Sequence, residues 1–186
     1  MIFQIGSSDP ELALQAAKIV QQDVAGMYVP SQSIMYILLI YSDLNCGCPK
    51  PFSYARPLVV KTKLTHSTHS GMGAALLSTP DLLLNILRKL LDNIPLPISC
   101  KIRMLPTQPS TLVLVSRILR TGIRNLTVHC RTRNMRPGER AMWERLGDIV
   151  ELGRRRGVPI TCNGDGDGWT NWERIRSETS ESTTEA

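Results

Sequence analysis

The sequence predicts an α/β fold built on a parallel sheet, and three observations lead to this prediction. Short alternating or apolar runs are each followed by an amphipathic stretch of helical length, as in strand–helix units. Successive strands lie roughly 30 residues apart, the spacing of βαβ units. Polar residues gather where these strands end, and parallel sheets, whether barrels or open sheets, bind ligands at the carboxyl ends of their strands.

The first unit is a strand over residues 2–5 followed by a helix. Asp9 is the expected capping residue and Pro10 the first helical position. From Pro10 onward, apolar residues recur at three-to-four spacing, which is typical of a helix with one face on a core. We therefore expect β–α order from the amino terminus.

The second unit is a helix over residues 81–91, capped by Thr79 and Pro80, and then a strand over residues 98–103. Alternation along this strand places Lys101 and Arg103 on one face. Two cations there could bind an anionic flavin or a phosphate. They could equally belong to a solvated edge strand, and both interpretations stay open at this point.

The third and fourth units repeat the pattern. Helix 110–120 ends at Gly122 before strand 126–129, and helix 140–155 ends at Gly157 before strand 159–163. His129 closes the earlier strand, where it could bind a cofactor oxygen, move a proton, or fill a structural role. The glycine-rich stretch that begins at Asn163 could bind phosphate, form a flexible turn, or, less convincingly because the required glutamate is missing, bind calcium.

Two segments, residues 27–42 and 54–67, interrupt this alternation of strands and helices. Their composition differs from that of their flanks, and their removal leaves a compact strand and loop. We interpret both as insertions, and specifically as translated introns. The polar, Ser/Thr/Glu-rich residues 177–186 are expected to be a disordered tail.

The composition limits the classes of protein to consider. The 186 residues are enough for one domain with a core, and 42% hydrophobic with 20% charged residues excludes wholesale disorder. An excess of 22 Lys and Arg over 16 Asp and Glu gives a net charge of +6, which favours a polyanionic partner without identifying one. Basic surface suited to an RNA backbone would come from arginines late in the chain, namely Arg131, Arg133, Arg136, Arg140, Arg145 and residues 154–156.

Five cysteines without a Cys-x-x-Cys pair indicate neither a disulfide framework nor a zinc knuckle. A reducing compartment follows, and we expect no secretory signal and no membrane span, because the one apolar run is far shorter than the ~20 residues that a bilayer requires. In the turn after Asp43, the thiols of Cys46 and Cys48 could be buried, or one could act as a nucleophile or an acid.

These motifs, taken together, resemble the tRNA dihydrouridine synthases, and most closely the eukaryotic type that modifies position 20 of the D-loop. The resemblance is carried, in family order, by FQIGSSDPELAL, DLNCGCPKPFS, THSGMGAALLSTPDLL, CKIRMLP, TGIRNLTVHCRTR and PITCNGDG. Outside the two interrupting segments and the tail, it covers nearly the whole chain.

The resemblance implies an FMN-binding (β/α)8 TIM barrel in which NADPH reduces the flavin, and the flavin reduces a uridine of tRNA. It implies that Cys48, not Cys46, is the general acid, and that Asn45 and Arg103 contact the uracil, Arg103 also lying near the flavin. The flavin contacts that it implies are Gln4, Lys101, His129, Asn163 and Gly164. No metal is implied.

Compared with the family, the chain offers only four or five strand–helix units. We therefore expect residues 1–176 to form a partial barrel that lacks the first strands, the last strand or strands and the helical carboxy-terminal domain. The alternative is an inactive truncated fragment with at most RNA-binding activity. An FMN enzyme of another substrate class is disfavoured by the pairing of Asn45 with Cys48. We expect a monomer in the cytoplasm, with nucleus and mitochondria as alternatives, that binds tRNA and no membrane.

Overall fold

The computed structural model describes residues 2–25, 41–46, 73–136, 138–165, 173 and 175–177. In these ranges strands and helices alternate, in the order β1 (Ile2–Ile5), α1 (Pro10–Ala25), β2 (Tyr41–Cys46), α2 (Pro80–Asn93), β3 (Ile98–Met104), α3 (Gln108–Leu119), β4 (Asn125–Thr132), α4 (Leu146–Arg156) and β5 (Ile160–Asn163). Two 3-10 helices, Gly73–Ser78 and Trp143–Arg145, precede α2 and α4. The predicted α/β class is confirmed.

The five strands form one parallel sheet in the order β1-β2-β3-β4-β5. Each connection therefore advances by one strand in the same direction. Such an order is typical of a barrel, because an open doubly wound sheet reverses its order at a switch point. The arrangement is consistent with part of a (β/α) barrel.

One face of the sheet is apolar and lies beneath the helices. Alternate strand residues point to opposite faces, and many residues on the helix-facing side of β2, β3 and β4 are almost completely buried. They include Leu44, Cys46, Cys100, Ile102, Leu126, Val128 and Cys130. Leu83, Ile86, Leu87 and Leu90 of α2 are fully buried as well. Each such aliphatic side chain contributes about 1.5–3 kcal/mol, so this layer holds the sheet in place.

The helix starts show which local predictions were right. Asp9 caps α1 as predicted, since its Oδ1 accepts hydrogen bonds from the backbone N–H groups of Glu11 at 2.8 Å and Leu12 at 3.0 Å. Thr79 occupies the predicted position before α2, but its side chain makes no capping hydrogen bond. Thr107 caps α3 by accepting from Ser110 N–H at 3.3 Å, so this helix begins at Gln108, two residues earlier than predicted.

The predicted helix over residues 140–155 was wrong at its start, because α4 begins only at Leu146. The reason lies in two long-range hydrogen bonds. The backbone N–H of Ala141 donates to Asp165 Oδ2 at 2.7 Å, and that of Met142 donates to the carbonyl oxygen of Cys130 at 2.6 Å. These bonds hold residues 141–142 against the sheet, and the chain enters the helix through the 3-10 turn.

Strand β2 begins at Tyr41, so it includes the last two residues of the segment 27–42 that was predicted to be an insertion. The rest of that segment, all of 54–67 and residues 178–186 of the predicted tail lie outside the described residues. Each helix in the described ranges is too short or too polar to cross a membrane.

Candidate functional site

The second face of the sheet is polar, and predicted site residues from four neighbouring strands lie on it. Strand register pairs Asn45 with Lys101, Arg103 with His129, and His129 with Asn163. Because residues paired across parallel strands share a face, all five predicted site positions lie on the same side of the sheet. Asn45, Arg103 and Asn163 lie at or next to the carboxyl ends of β2, β3 and β5, where parallel sheets bind ligands. Lys101 and His129 lie further back, within β3 and β4.

Gln4 extends this polar face to β1. It pairs with Asp43, and Asp43 precedes Asn45 by two residues, so the register places Gln4 and Asn45 on the same face. The side chain of Gln4 is exposed. The structure therefore brings the positions of six predicted site residues, Gln4, Asn45, Lys101, Arg103, His129 and Asn163, onto one surface.

Two cations of this face, Lys101 and Arg103, lie on β3, the central strand of the described sheet. The interpretation of Lys101 and Arg103 as part of a solvated edge strand was therefore wrong. Arg103 is only 8% exposed, and its guanidinium donates to the carbonyl oxygen of Thr132 at 3.0 Å. Lys101 is half-buried. Two neighbouring positive charges on one face can bind an anionic ligand through charge-assisted hydrogen bonds.

His129 is half-buried beside these cations. Burial first, and then the positive charges of Arg103, Lys101 and Arg131, lower its pKa from 6.5 to about 4, although Asp165 opposes this effect. At neutral pH the imidazole is consequently uncharged. One ring nitrogen is then a donor and the other an acceptor, and the ring adds no positive charge to those of Lys101, Arg103 and Arg131.

The loop after β5 approaches His129 closely. Gly164 has φ +110, and a Cβ atom at this position would lie 3.2 Å from Cδ2 and from Nε2 of the imidazole. The positive φ strongly favours a glycine here, and the tight contact with the ring adds to this preference. At Gly164 the loop therefore presents backbone to the ring of His129.

Arg131 is the residue of this region that the sequence interpretation missed. It was expected on a basic surface, but it is 6% exposed. It forms an ion pair with Asp165 and lies with Nη1 3.3 Å from His129 Nε2. A signal was present in the sequence, because Arg131 follows His129 by two residues on a strand and must share its face.

Arg145 was also expected on that basic surface, and it too has a structural role. Its guanidinium donates to the carbonyl oxygen of Leu105 at 2.9 Å and to Thr111 Oγ1 at 3.0 Å, and to Gln108 Oε1 at 2.9 Å. It thereby holds the loop that follows β3. Among the predicted arginines, Arg136, Arg140, Arg154, Arg155 and Arg156 are exposed.

The predicted general acid, Cys48, lies outside the described residues. Cys46 is fully buried on the helix-facing side of β2, away from the polar face. Burial raises the pKa of Cys130 to about 12 and also raises that of Cys162. Thiols of such high pKa remain protonated and unreactive at neutral pH.

The calcium interpretation of the glycine-rich loop receives no support from Asp165, because this carboxylate is engaged by Arg131 and by the N–H of Ala141. The Ala141 N–H lowers the pKa of Asp165 most strongly, and Arg131 lowers it further. Among the described residues, no group of three or more His, Cys, Asp or Glu side chains could hold a metal ion.

The family model and two similar relatives carry the same description, dihydrouridine synthase. The family model described as "Dihydrouridine synthase (Dus)" matches residues 1–184. The tRNA-dihydrouridine(20) synthase [NAD(P)+] of Schizosaccharomyces pombe is 46% identical over 169 residues, which are 89% of this chain and 29% of that protein. Its namesake in Saccharomyces cerevisiae is 42% identical over 168 residues, 88% of this chain and 36% of that protein.

A more distant relative is the tRNA-dihydrouridine(20a/20b) synthase [NAD(P)+] of Saccharomyces cerevisiae, 28% identical over 138 residues, which are 73% of this chain and 34% of that protein. The chain thus spans about a third of the length of these relatives.

Proposed function

Because this chain belongs to the dihydrouridine synthase family, we propose that it acts in the reduction of a tRNA uridine to 5,6-dihydrouridine, with FMN as cofactor and NADPH as reductant. The observation that carries the proposal is the polar face, on which Arg103 pairs with His129 across adjacent strands and Lys101 lies two residues before Arg103. The similarity to position-20 synthases supports that position of the D-loop as the target.

The described residues fit an anionic, planar cofactor. Lys101 and Arg103 supply positive charge on the central strand, and the neutral imidazole of His129 adds a hydrogen-bonding group without charge. Because Gly164 has no Cβ, its backbone can lie close to His129. Gln4 and Asn163 add amide groups on the same face. We propose these residues as the FMN-binding set, with Arg103 close enough on β3 to serve both FMN and the uracil.

FMN, when bound, supplies a hydride to carbon 6 of the uracil, and NADPH restores its reduced form. The remaining proton must reach carbon 5, and we assign this step to the thiol of Cys48 as general acid. Asn45 would hold the edge of the uracil through its amide. Both assignments rest on the motif Asn45-Cys46-Gly47-Cys48-Pro49, which the family resemblance matches residue by residue.

The sequential order of the five strands supports a (β/α)8 barrel as the complete architecture, since each strand advances the sheet in the same direction. Residues 1–176 would contribute a part of that barrel. The proposed partner is tRNA, and the proposed compartment is the cytoplasm, where a tRNA-modifying chain meets its substrate. A monomeric state stays a prediction.

The function is tested by incubating the purified chain with FMN, NADPH and unmodified tRNA transcript, followed by mass spectrometry of the digested RNA for a gain of two hydrogens at one uridine. We expect the gain at position 20. Bound flavin without any dihydrouridine would contradict the activity and favour the inactive fragment as the alternative.

A further inference from the structure

Arg131 contacts three parts of the polar face at once. Its Nη1 lies 3.3 Å from His129 Nε2, its Nε donates to the carbonyl oxygen of Glu139, and its guanidinium is ion-paired with Asp165. The side chain is 7% exposed. Buried guanidinium groups are retained only where their donors are satisfied, so these contacts define its position closely.

The contact with His129 determines where the imidazole proton lies. A guanidinium carries five N–H donors and accepts no hydrogen bond. The nitrogen facing it, Nε2, must therefore be the acceptor, and in a neutral imidazole the proton then lies on Nδ1. The lowered pKa of His129 agrees with an uncharged ring at neutral pH.

The contact with Asp165 holds the loop after β5. Asp165 has φ +50, an uncommon conformation for a residue with a side chain, and it is held by Arg131 and by the N–H of Ala141 at 2.7 Å. Gly164, the residue before it, lies against the imidazole. Arg131 and Asp165 thus connect the ring of His129 to the backbone that lies beside it.

We propose that Arg131 is a positioning residue that fixes His129 as the neutral Nδ1–H tautomer and, through its ion pair with Asp165, fixes Gly164 against the ring. His129 then presents a defined donor to the ligand on the polar face. The tautomer assignment does not depend on the proposed function. Only its consequence for FMN binding rests on the proposed function.

The tautomer is measured directly by NMR of the full chain labelled with nitrogen-15 in its histidine rings. The chain has three histidines, His66, His69 and His129, and the spectrum of His129→Asn assigns the signal of interest. At pH 7 without FMN we expect the nitrogen-15 chemical shift of a protonated nitrogen for Nδ1 and that of an unprotonated nitrogen for Nε2. A protonated Nε2 in the unsubstituted chain would overturn the proposal without any variant.

Two substitutions separate the two roles. Arg131→Met removes the donor, so the ring should shift to a mixture of both tautomers. Asp165→Asn leaves Arg131 beside the ring, so the tautomer should persist while the loop loosens. The loosening is read from hydrogen exchange of the Ala141 amide, which we expect to become at least tenfold faster.

Arg133→Met is the matched control, because Arg133 directly follows β4 and its guanidinium donates to Ser78 Oγ at 3.4 Å. It should change neither the tautomer nor the exchange of the Ala141 amide. The proposal fails if Arg131→Met stays folded and keeps the Nδ1–H tautomer, or if Asp165→Asn leaves the amide exchange unchanged.

Discussion

The backbone of Gly164 lies against the imidazole of His129, and a Cβ at Gly164 would come within 3.2 Å of two ring atoms. This contact joins β4 to the loop after β5 at the end of the sheet where we place the cofactor. The proposed site therefore depends on a residue without a side chain as much as on the charged residues around it.

Gly164→Ala should destabilise the chain and weaken FMN binding. The substitution imposes φ +110 on a residue with a Cβ, at a cost of about 1–3 kcal/mol, and it pushes the loop away from His129. Urea unfolding and FMN fluorescence quenching measure the two effects. Gly157→Ala is the control, because Gly157 also has a positive φ, +65, but has open space around it. An equal loss of FMN affinity in both variants would contradict the contact.

His129 should make stability depend on pH in a defined window. Its pKa is about 4 in the folded chain and 6.5 in the unfolded chain, so only the unfolded chain takes up the proton as the pH falls between these values. The free energy of unfolding, compared with that of His129→Asn, should therefore be constant above pH 7.5 and fall from about pH 6.5 towards pH 4. Parallel curves for both proteins would show that the pKa is not lowered.

Gly153→Ala should destabilise α4, although alanine has the higher helix propensity. A Cβ at Gly153 would lie 2.5 Å from Ile160 Cγ1 and 2.7 Å from the carbonyl oxygen of Val158. Overpacking of this kind costs about 1–3 kcal/mol. Gly138→Ala, which meets open space, should leave the unfolding free energy nearly unchanged. A Gly153→Ala chain as stable as the parent would disprove the close packing of α4 on β5.

Cys48→Ala should abolish uridine reduction while the chain still binds FMN, because the proton donor is lost and the polar face of the described strands is untouched. Cys46→Ala is the matched control: Cys46 is fully buried on the other face, so its substitution should lower stability and preserve turnover. Single-turnover reduction of tRNA distinguishes the two variants. Full activity in the Cys48→Ala variant would show that Cys48 is not the general acid.

Features with local causes were predicted well from the sequence. Asp9 caps α1 through bonds to residues two and three positions away, and the alternation of β3 alone placed Lys101 and Arg103 on one face. The parallel sheet followed from the repeated strand–helix pattern.

Features with distant causes were missed. The burial of Arg131 depends on Asp165, 34 residues later, and the late start of α4 depends on backbone bonds to Cys130 and Asp165. Local periodicity and composition carry no signal for such pairs, so arginines that hold loops were mistaken for surface arginines.

The central claim is that the polar face binds FMN, and the most direct measurement is a visible absorption titration of the chain and of Lys101→Met with FMN. We expect a bound-flavin spectrum for the chain and an affinity about 10–100-fold lower for Lys101→Met, because a charge-assisted hydrogen bond contributes about 1.5–3 kcal/mol. Arg88→Met removes an exposed charge from α2 and should bind as the parent does. A folded chain that shows no flavin spectrum at saturating FMN, or equal affinities in all three proteins, would contradict the claim.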